Sequence, residues 1–406
     1  MKYKLIDLLD FKTQGVNTTT DHISYVEKGY KIVQAKNIAP YNITFDESNF
    51  VDEETFSRIK DNHKLHKGEV LYTNIGSQLG NSAIYEFDDE AIITWNVMKL
   101  IPNKDIIDNY YLCYLLNSNK PYIKALNTSS TMPFVSGKAL MNVEFEVPDL
   151  HTQKKVVKVL KNIEDKIKLN NEINNNLFEL LKQEFREKFY NKKEKDSYLR
   201  NYISETIGGD WGKSAPEENN NTMVYCVRGA DIPSMEYGNK GNAPIRYILE
   251  KNYKNKKLDP NNIIIEISGG SSTQSTGRTA FITKSILDMY DSPLLCTNFC
   301  RAIEAKSDIL APFVYLNLKL MYDDDIFFNW ENGTTGIKNL ALNDLLNNLK
   351  VKTPDEMMLK NFYLLFNNII NKISNNSNEN IKLEQLRDTL LPKLMNGEID
   401  LGNIEI

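Results

Sequence analysis

An internal repeat constrains the fold of this chain more than any other feature of its sequence. The segments 33–38 (VQAKNI) and 227–232 (VRGADI) each begin with Val and end with Ile, and they lie 194 residues apart. Further identical pairs at similar or slightly larger separations are Leu5 and Leu199, Gly15 and Gly209, Asn96 and Asn298, and Pro148 and Pro354. Because loop insertions in the second copy would widen the separation in this way, the pattern predicts two tandem copies of one domain.

Each predicted domain is followed by a segment with helical periodicity. After Pro148, apolar residues recur at steps of three and four, which is typical of an amphipathic helix. These positions are Val156, Val159, Leu160, Ile163, Ile167, Ile173, Leu177, Leu181 and Phe185. At a rise of about 1.5 Å per residue, about 40 helical residues would form a rod of roughly 60 Å.

A second helical segment follows Pro354. Its apolar positions are Phe362, Leu365, Phe366, Ile369, Ile370 and Ile373, and then Ile381, Leu383, Leu386 and Leu390. The run of Asn and Ser at residues 374–380 is predicted to interrupt this helix, and Pro392 is predicted to end or kink it. Because each apolar stripe needs a partner, the two helices are predicted to pair with each other in antiparallel orientation.

Two asparagines, Asn170 and Asn174, fall on or next to the apolar stripe of the first helix. A buried Asn in a helix pair can fix the register of the pair at some cost in stability. Simple surface exposure is an equally good interpretation, because Asn is abundant throughout this chain.

The predicted fold class is a mixed α/β protein with two tandem globules separated by two long antiparallel helical spacers, related by a pseudo-twofold internal repeat. The predicted segments are residues 1–148 (first globule), 149–195 (first helical spacer), 196–354 (second globule) and 355–406 (second helical spacer).

Charge and composition restrict the functional class. A net charge of −5 argues against a stand-alone nucleic-acid binder, which usually carries a basic face. No apolar run reaches the length of a membrane span, and the first residues turn acidic before a signal-peptide core could form, so a cytoplasmic protein is expected. The four cysteines form no CxxC pair and are expected to be buried, reduced thiols. The abundance of Asn, Lys and Ile hints at an AT-rich bacterial genome.

The sequence contains no recognisable catalytic motif. It lacks the Asn/Asp-Pro-Pro-aromatic loop of amino-methyltransferases, and Gly137-Lys138 lacks the upstream glycine of a phosphate-binding loop. The acidic run 323–325 is typical of a solvated turn, and the four histidines have no metal-ligand spacing. The sequence therefore predicts no catalytic residue, no metal and no cofactor on this chain.

Small polar loops recur at matching places in the two halves. They are residues 74–83 and 128–134 in the first half, and residues 268–280 and 332–337 in the second. Gly80 and Gly277 are equivalent glycines within them. Glycine lets a backbone approach a ligand closely, and Ser, Thr, Gln and Arg can donate to phosphates and base edges. One such loop would be read as a plain surface turn, but its recurrence favours a functional role.

The order of these features resembles the specificity subunit of type I restriction–modification systems over nearly the whole chain. In each half a Gly-Glu-Val-Leu or Asn-Ile-Ile-Ile strand leads to a Gly-x-x-Ala loop, and an Asn-containing strand follows at 95–101 and 297–303. Gln153 lies near the start of the first helix, as in the family. The most specific match is 386–399 (LRDTLLPKLMNGEI), which is similar to the family's C-terminal conserved region. The second helix departs from the pattern, because residues 357–360 lack the expected Gln.

The resemblance implies a non-catalytic subunit that reads a split DNA target with one half-site per globule. The globules would be target-recognition domains, and the helices would be conserved coiled-coil spacers that bind two methyltransferase subunits. Restriction and motor subunits would complete the complex. S-adenosylmethionine, ATP and Mg would be bound by those partners, and phosphate contacts could come largely from the methyltransferases.

Candidate DNA-reading residues lie on the repeated turns and loops. They are Gln34, Lys36, Asn37, Gln78 and Asn81 in the first domain, and Lys213, Arg228, Ser272, Gln274 and Arg278 in the second. Arg suits guanine, and Asn or Gln suits adenine, so the two sets predict dissimilar half-sites. The helix positions predicted to bind partners are Val156, Ile163, Ile167, Phe366, Ile370 and Leu386.

Two other functions remain open from the residues alone. One is a single-chain restriction or modification enzyme with an unrecognised active site, against which the missing motifs count. The other is a coiled-coil scaffold whose globules bind protein.

Overall fold

The computed structural model of the chain describes residues 1–45, 49–129, 131–271, 274–333, 337–399 and 401–402. The chain divides into two compact units, Met1–Asp165 with Leu383–Ile406, and Lys166–Lys382. The division falls inside both long helices, so each unit combines one globule with one end of each helix. Over the described ranges, no helix is both long and apolar enough to span a membrane.

The first unit contains small sheets flanked by short helices. Its strands are β1 Lys2–Lys4, β2 Leu9–Gln14, β3 Tyr30–Val33, β4 Ile38–Ala39, β5 Asn42–Ile43, β6 Asn49–Val51, β7 Lys64–Leu65, β8 Val70–Thr73, β9 Ser82–Ile84, β10 Ala91–Ile93, β11 Val97–Pro102 and β12 Glu144–Glu146. Its helices are α1 Glu53–Arg58, α2 Asn109–Ser118, α3 Lys120–Ala125 and α4 Gly137–Met141, and helix α5, Leu150–Phe185, begins in this unit. The two larger sheets have the strand orders β6-β3-β10-β7 and β2-β11-β8-β9.

The second unit repeats this plan. Its strands are β13 Ser197–Tyr198, β14 Ile203–Gly208, β15 Asn220–Val227, β16 Ile245–Leu249, β17 Ile263–Glu266, β18 Ser268–Gly269, β19 Thr279–Phe281, β20 Leu294–Cys296, β21 Cys300–Ala305, β22 Glu331–Asn332, β23 Lys338–Leu340 and β24 Lys350–Val351. Its helices are α6 Ile232–Glu236, α7 Glu250–Lys256, α8 Lys284–Asp288, α9 Ala311–Asp323 and α10 Leu342–Asn348, and most of helix α11, Glu356–Met395, lies here. The order β14-β21-β17-β19 matches β2-β11-β8-β9 strand for strand, which confirms the predicted repeat.

One predicted pairing within the repeat is wrong by one residue. Strands β10 and β20 are equivalent, and each is followed by a three-residue turn before β11 or β21 begins. The turns are residues 94–96 and 297–299, so Asn96 corresponds to Phe299, and Asn298 corresponds to Trp95. Each turn contains one Asn and one aromatic residue, but in the opposite order, so neither the Asn residues nor the aromatic residues are at equivalent positions.

Helices α5 and α11 run antiparallel within each unit. In the first unit, Val156 and Leu160 share a buried cluster with Leu391 and Leu394. In the second unit, the ring centroids of Phe185 and Phe362 lie 5.4 Å apart. In both units a later residue of one helix thus meets an earlier residue of the other. A short π-helical turn, Arg186–Tyr190, continues α5.

The predicted interruption of the second helix is wrong, because α11 is continuous from Glu356 to Met395. In the run 374–380, Ser374, Asn376, Ser377 and Asn380 are buried. The side chains of Asn376, Ser377 and Asn380 hydrogen-bond to polar partners inside the unit, and this offsets the low intrinsic helix propensity of Asn and Ser. Pro392 lies inside the helix, which ends three residues later.

The four cysteines, Cys113, Cys226, Cys296 and Cys300, are buried and free, as the sequence predicts.

Candidate nucleic-acid interface

Three segments converge at one edge of each unit, and we call this region the loop edge. In the first unit the loop edge comprises residues 34–37, 74–81 and 94–96, and in the second unit it comprises residues 228–231, 267–271 with 274–278, and 297–299. The parallel strand pairs β3–β10 and β15–β20 create it. Because parallel strands end on the same side of a sheet, the turns that follow them emerge together.

Hydrogen bonds hold the segments of the first loop edge together. The backbone N–H of Thr94 donates to the carbonyl of Val33 over 3.0 Å, which joins the turn after β10 to the turn after β3. Gln14 Nε2 donates to Asn74 Oδ1 over 2.9 Å and also to the carbonyl of Trp95. Gln14 therefore links the start of the Gly-rich loop to the 94–96 turn.

The second loop edge is fastened in the same manner. The backbone N–H of Thr297 donates to the carbonyl of Val227 over 2.9 Å, and the N–H of Ile267 donates to the carbonyl of Phe299 over 2.8 Å. Gly229 packs so closely on Glu266 that any side chain at position 229 would collide with the carboxylate. The three segments are thus in contact in this unit as well.

The turn after the first parallel strand is built identically in both units. Asn37 Oδ1 accepts from the backbone N–H of Gln34 over 2.9 Å, and Asp231 Oδ2 accepts from that of Arg228 over 2.9 Å. Asn37 also donates to the carbonyl of Thr44, and both capping side chains are buried. The amide of Asn37, one of the predicted base readers, is therefore directed into the protein and holds the turn.

Asn81 is also buried and shapes the first loop edge from within. Its Nδ2 donates to the carbonyl of Ile38 over 2.7 Å and to Gln78 Oε1 over 2.9 Å. Its Oδ1 accepts from Lys120 Nζ. With all these groups engaged, Asn81 positions the Gly-rich loop against the 34–38 turn and is not placed to meet a base edge.

The remaining candidates of the first unit reach the surface. Lys36 and Gln78 are exposed, and Gln34 is half-buried. Gln34 Nε2 donates to the hydroxyl of Tyr25 over 3.1 Å, and its Oε1 accepts from Asn49 over 3.1 Å. This orients the amide of Gln34 at the rim of the loop edge.

Arg228 presents a guanidinium that is both anchored and accessible. Its Nε and Nη2 donate to the carboxylate of Asp231 over 3.0 and 3.1 Å, and Nη2 also donates to the carbonyl of Asn242. The hydrogen bond to Asp231 raises the pKa of Arg228 above its usual range. The Arg228 side chain is still 43% exposed. A guanidinium held this way is preorganised for an acceptor outside the protein.

Arg278 occupies a different environment. Its Nε and Nη2 form a two-point pair with the buried carboxylate of Glu266 over 2.9 and 2.6 Å. The hydrogen bond to Glu266 raises the pKa of Arg278. Glu266 is buried, and a buried carboxylate is costly unless a cation pairs with it. Arg278 is therefore needed as the partner of Glu266. The structure therefore gives Arg278 a supporting role behind the loop edge.

The other second-unit candidates are scattered. Gln274 is exposed, and its Nε2 donates to the hydroxyl of Tyr322 over 3.1 Å. Lys213 is exposed too, but it pairs with Tyr247 through the backbone and lies 3.5 Å from Glu217, outside the three segments. Ser272 lies outside the described residues, as do Ser130 and residues 334–336 of the third repeated loops.

Sequence reasoning missed the aromatic residues near the loop edges. Trp95 and Phe299 are exposed at the equivalent turns. Trp211 is partly exposed, and the guanidinium of Arg246 lies 4.1 Å from its ring centroid. The place of Trp95 and Phe299 in the sequence could have indicated them, because each lies in the turn that follows the second strand of the parallel pair.

Most of the helix residues predicted to bind partners are buried or half-buried within this chain. Val156, Ile163 and Phe366 are buried within their own units, Ile167 and Ile370 are half-buried, and only Leu386 of this set is exposed. At the three buried positions the apolar stripe is covered by packing within the chain. Exposed apolar side chains on the other helix faces are Leu169, Leu180, Met357, Met358, Leu364 and Leu386.

Within the described part of the chain, no three His, Cys, Asp or Glu side chains are grouped as they would be to hold a metal ion.

Comparison with known proteins gives a consistent result. A family model described as the type I restriction modification DNA specificity domain matches residues 19–179. The type I restriction enzyme MjaIX specificity subunit of Methanocaldococcus jannaschii is 26% identical over 364 residues, which cover 82% of this chain and 78% of that protein. The HindI specificity subunit of Haemophilus influenzae is 22% identical over 413 residues, which cover 82% of this chain and 87% of that protein.

A solved structure shares the fold. The crystal structure of the type I restriction–modification S subunit from M. genitalium aligns with a TM-score of 0.51 at 15% sequence identity. The alignment covers 97% of this chain and 95% of that chain.

Proposed function

We propose that this chain is a specificity subunit of a type I restriction–modification system and that it reads a split DNA target with one half-site per unit. The observation that carries the proposal is the loop edge, in which two hydrogen bonds recur in both units: the bond from the Thr N–H to the Val carbonyl, and the side-chain cap of the turn after the first parallel strand. A duplicated scaffold with different side chains at its rim suits a reader of two different short sequences. In this family the subunit supplies specificity and is not the catalytic component.

The residues at each rim suggest what each half-site contains. The first unit offers the amides of Gln34 and Gln78 and the ammonium of Lys36, whereas the second offers Arg228 and Gln274. A Gln amide pairs best with adenine, and an Arg fork pairs best with guanine. The half-sites should therefore differ in sequence.

The long helices are proposed to act as spacers. Helix α5 has 36 residues and helix α11 has 40. At about 1.5 Å per residue they would be roughly 54 and 60 Å long, somewhat less than two turns of B-DNA at about 34 Å each. A spacer of this length would fix the gap between half-sites.

Methyltransferase subunits are the proposed partners of the exposed apolar helix positions. A chain with a net charge of −5 needs additional cationic surface to hold duplex DNA, and two methyltransferase subunits would supply it. Restriction and motor subunits would join in the complete complex, which we place in the cytoplasm. S-adenosylmethionine, ATP and Mg are proposed to bind to the partners.

Selection of duplexes from a random pool by the purified complex of this chain with its methyltransferase subunit tests the proposal. The expected product is a bipartite sequence with a fixed gap. Binding without any sequence preference, or methylation of DNA by this chain alone, would overturn it.

A further inference from the structure

We propose that Trp95 and Phe299 pack against nucleobases, each within the half-site read by its own unit. The inference rests on the proposed function and adds to it an apolar contact that accompanies the polar readers of the loop edges.

The two aromatic residues lie in a turn that the repeat conserves, at adjacent and not equivalent positions within it. Each lies in the three-residue turn that follows β10 or β20, behind a buried threonine, Thr94 or Thr297. Trp95 is 39% exposed and Phe299 is 57% exposed. A single exposed apolar residue is ordinary on a protein surface. Two at the same turn of diverged copies indicate a shared use.

The backbone of each aromatic residue is held in place. Trp95 donates its N–H to the carbonyl of Val16 over 2.8 Å and accepts at its own carbonyl from Gln14 Nε2. The carbonyl of Phe299 accepts from the N–H groups of Ile267 and Ser268 over 2.8 and 3.2 Å. A ring on a fixed backbone retains few degrees of freedom, so binding would cost it little conformational entropy.

The turns that carry these rings adjoin the turns that carry the polar readers. Thr94 and Thr297 are bonded to the carbonyls of Val33 and Val227, the residues directly before Gln34 and Arg228. Each ring is therefore carried by a turn that adjoins a turn with a side chain able to bond a base edge. Ring faces pack well on bases and on thymine methyl groups, which makes nucleobases the occupant that this combination fits.

The two turns differ in one respect that affects recognition. The aromatic residue is the second residue of the turn in the first unit and the third in the second unit. The rings should consequently meet different positions relative to Gln34 and Arg228, which adds to the difference between the half-sites.

The experiment uses the complex of this chain with its methyltransferase subunits and the duplex that the wild-type complex selects. Trp95→Ala and Phe299→Ala should each weaken binding of that duplex roughly 10- to 100-fold. Each should also reduce the penalty for mismatches in one half-site only, a different half-site for each variant. Trp95→Phe and Phe299→Tyr, which keep a ring, should restore most of the affinity.

Matched controls are Phe11→Ala in the first unit and Tyr198→Ala in the second, which remove exposed aromatic rings outside the loop edges. They should bind the selected duplex like the wild type. Wild-type affinity for Trp95→Ala and Phe299→Ala, or equal loss of discrimination in both half-sites, would overturn the inference while leaving the proposed function intact. A wild-type complex that selects no sequence would overturn the proposed function itself.

Discussion

Asn174 and Asn376 are bonded to each other inside the second unit, with Asn376 Nδ2 donating to Asn174 Oδ1 over 2.8 Å. A turn away, Asn170 Nδ2 donates to Asn380 Oδ1 over the same distance. All four amides are buried between α5 and α11. A sliding of either helix would leave these groups without partners, so the polar layer specifies one register for the pair.

Removal of one member of this layer should destabilise the chain. Asn174→Ala leaves the Asn376 amide buried without its acceptor, which should lower the free energy of unfolding by about 1–3 kcal/mol. Asn175→Ala, at the exposed neighbouring position of the same helix, is the matched control and should change it far less. Urea denaturation of the full chain measures both. Equal effects of the two substitutions would show that the layer contributes nothing.

The asparagine layer also shows where sequence reasoning reaches its limit. Apolar periodicity located both helices and their antiparallel pairing, because that signal depends only on spacing along the chain. The run 374–380 was misread as a break, since local propensity disfavours helix there. The partners of this run lie on α5 and in the second globule, at Tyr237 and Ser285, all far away in sequence, so no local pattern encodes them.

Truncation of the two second-unit arginines should have different effects, mainly on stability for Arg278 and mainly on half-site discrimination for Arg228. Arg278→Ala leaves the buried Glu266 carboxylate unpaired and should cost about 3–5 kcal/mol of stability. Arg228→Ala should cost much less, because Asp231 still accepts from the N–H groups of Arg228 and Asn242. Its effect should appear in the discrimination of one half-site. Chemical denaturation combined with binding assays on the complex separates these effects. A folding defect in Arg228→Ala as large as that of Arg278→Ala would contradict the assigned roles.

Glu164 should make the stability of the first unit depend on pH. Its Oε2 accepts from the hydroxyl of Tyr114 over 2.9 Å, while Oε1 is buried without a hydrogen-bond partner. Burial raises the pKa of Glu164 from 4.5 to about 7, against smaller opposing effects of Tyr114 and Arg387. Between these values the folded chain retains a proton that the unfolded chain releases. The contribution of Glu164 to the free energy of unfolding therefore declines as pH rises from 4.5 to about 7.

Glu164→Gln should remove this dependence while preserving an acceptor for Tyr114. Its stability relative to wild type should improve as the buffer is changed from about pH 5 to about pH 8. Glu144→Gln, at an exposed site of the first unit, is the control and should show no such trend. A pH-independent difference between Glu164→Gln and wild type would contradict the assignment.

Partner docking should depend on the exposed side of the helices. Leu364 is 61% exposed on α11, whereas Phe366, two residues further on, is fully buried. Leu364→Asp should leave the chain folded and weaken its assembly with the methyltransferase subunit. Phe366→Asp should unfold the second unit. Size-exclusion chromatography of the mixed subunits and thermal unfolding of the chain alone distinguish the two. If Leu364→Asp assembled as well as the wild type, the docking surface would lie elsewhere.

The loop edge was predictable only in part. Sequence comparison identified Gln34 and Arg228 as equivalent positions that differ in chemistry, and both lie at the rim. It could not separate Asn37 and Asn81 from true surface residues, because burial arises from tertiary packing and not from residue type. The aromatic residues of the turns escaped detection because they occupy non-equivalent positions, so no alignment of the two turns pairs Trp95 with Phe299.

Mapping of methylated bases in the genome of a cell that expresses this chain with its methyltransferase subunit tests the central claim most directly. The account predicts two unlike short half-sites separated by a fixed, unread gap. Gln34→Ala should relax only one of them and Arg228→Ala only the other. A palindromic or uninterrupted target, or relaxation of both half-sites by one substitution, would contradict it.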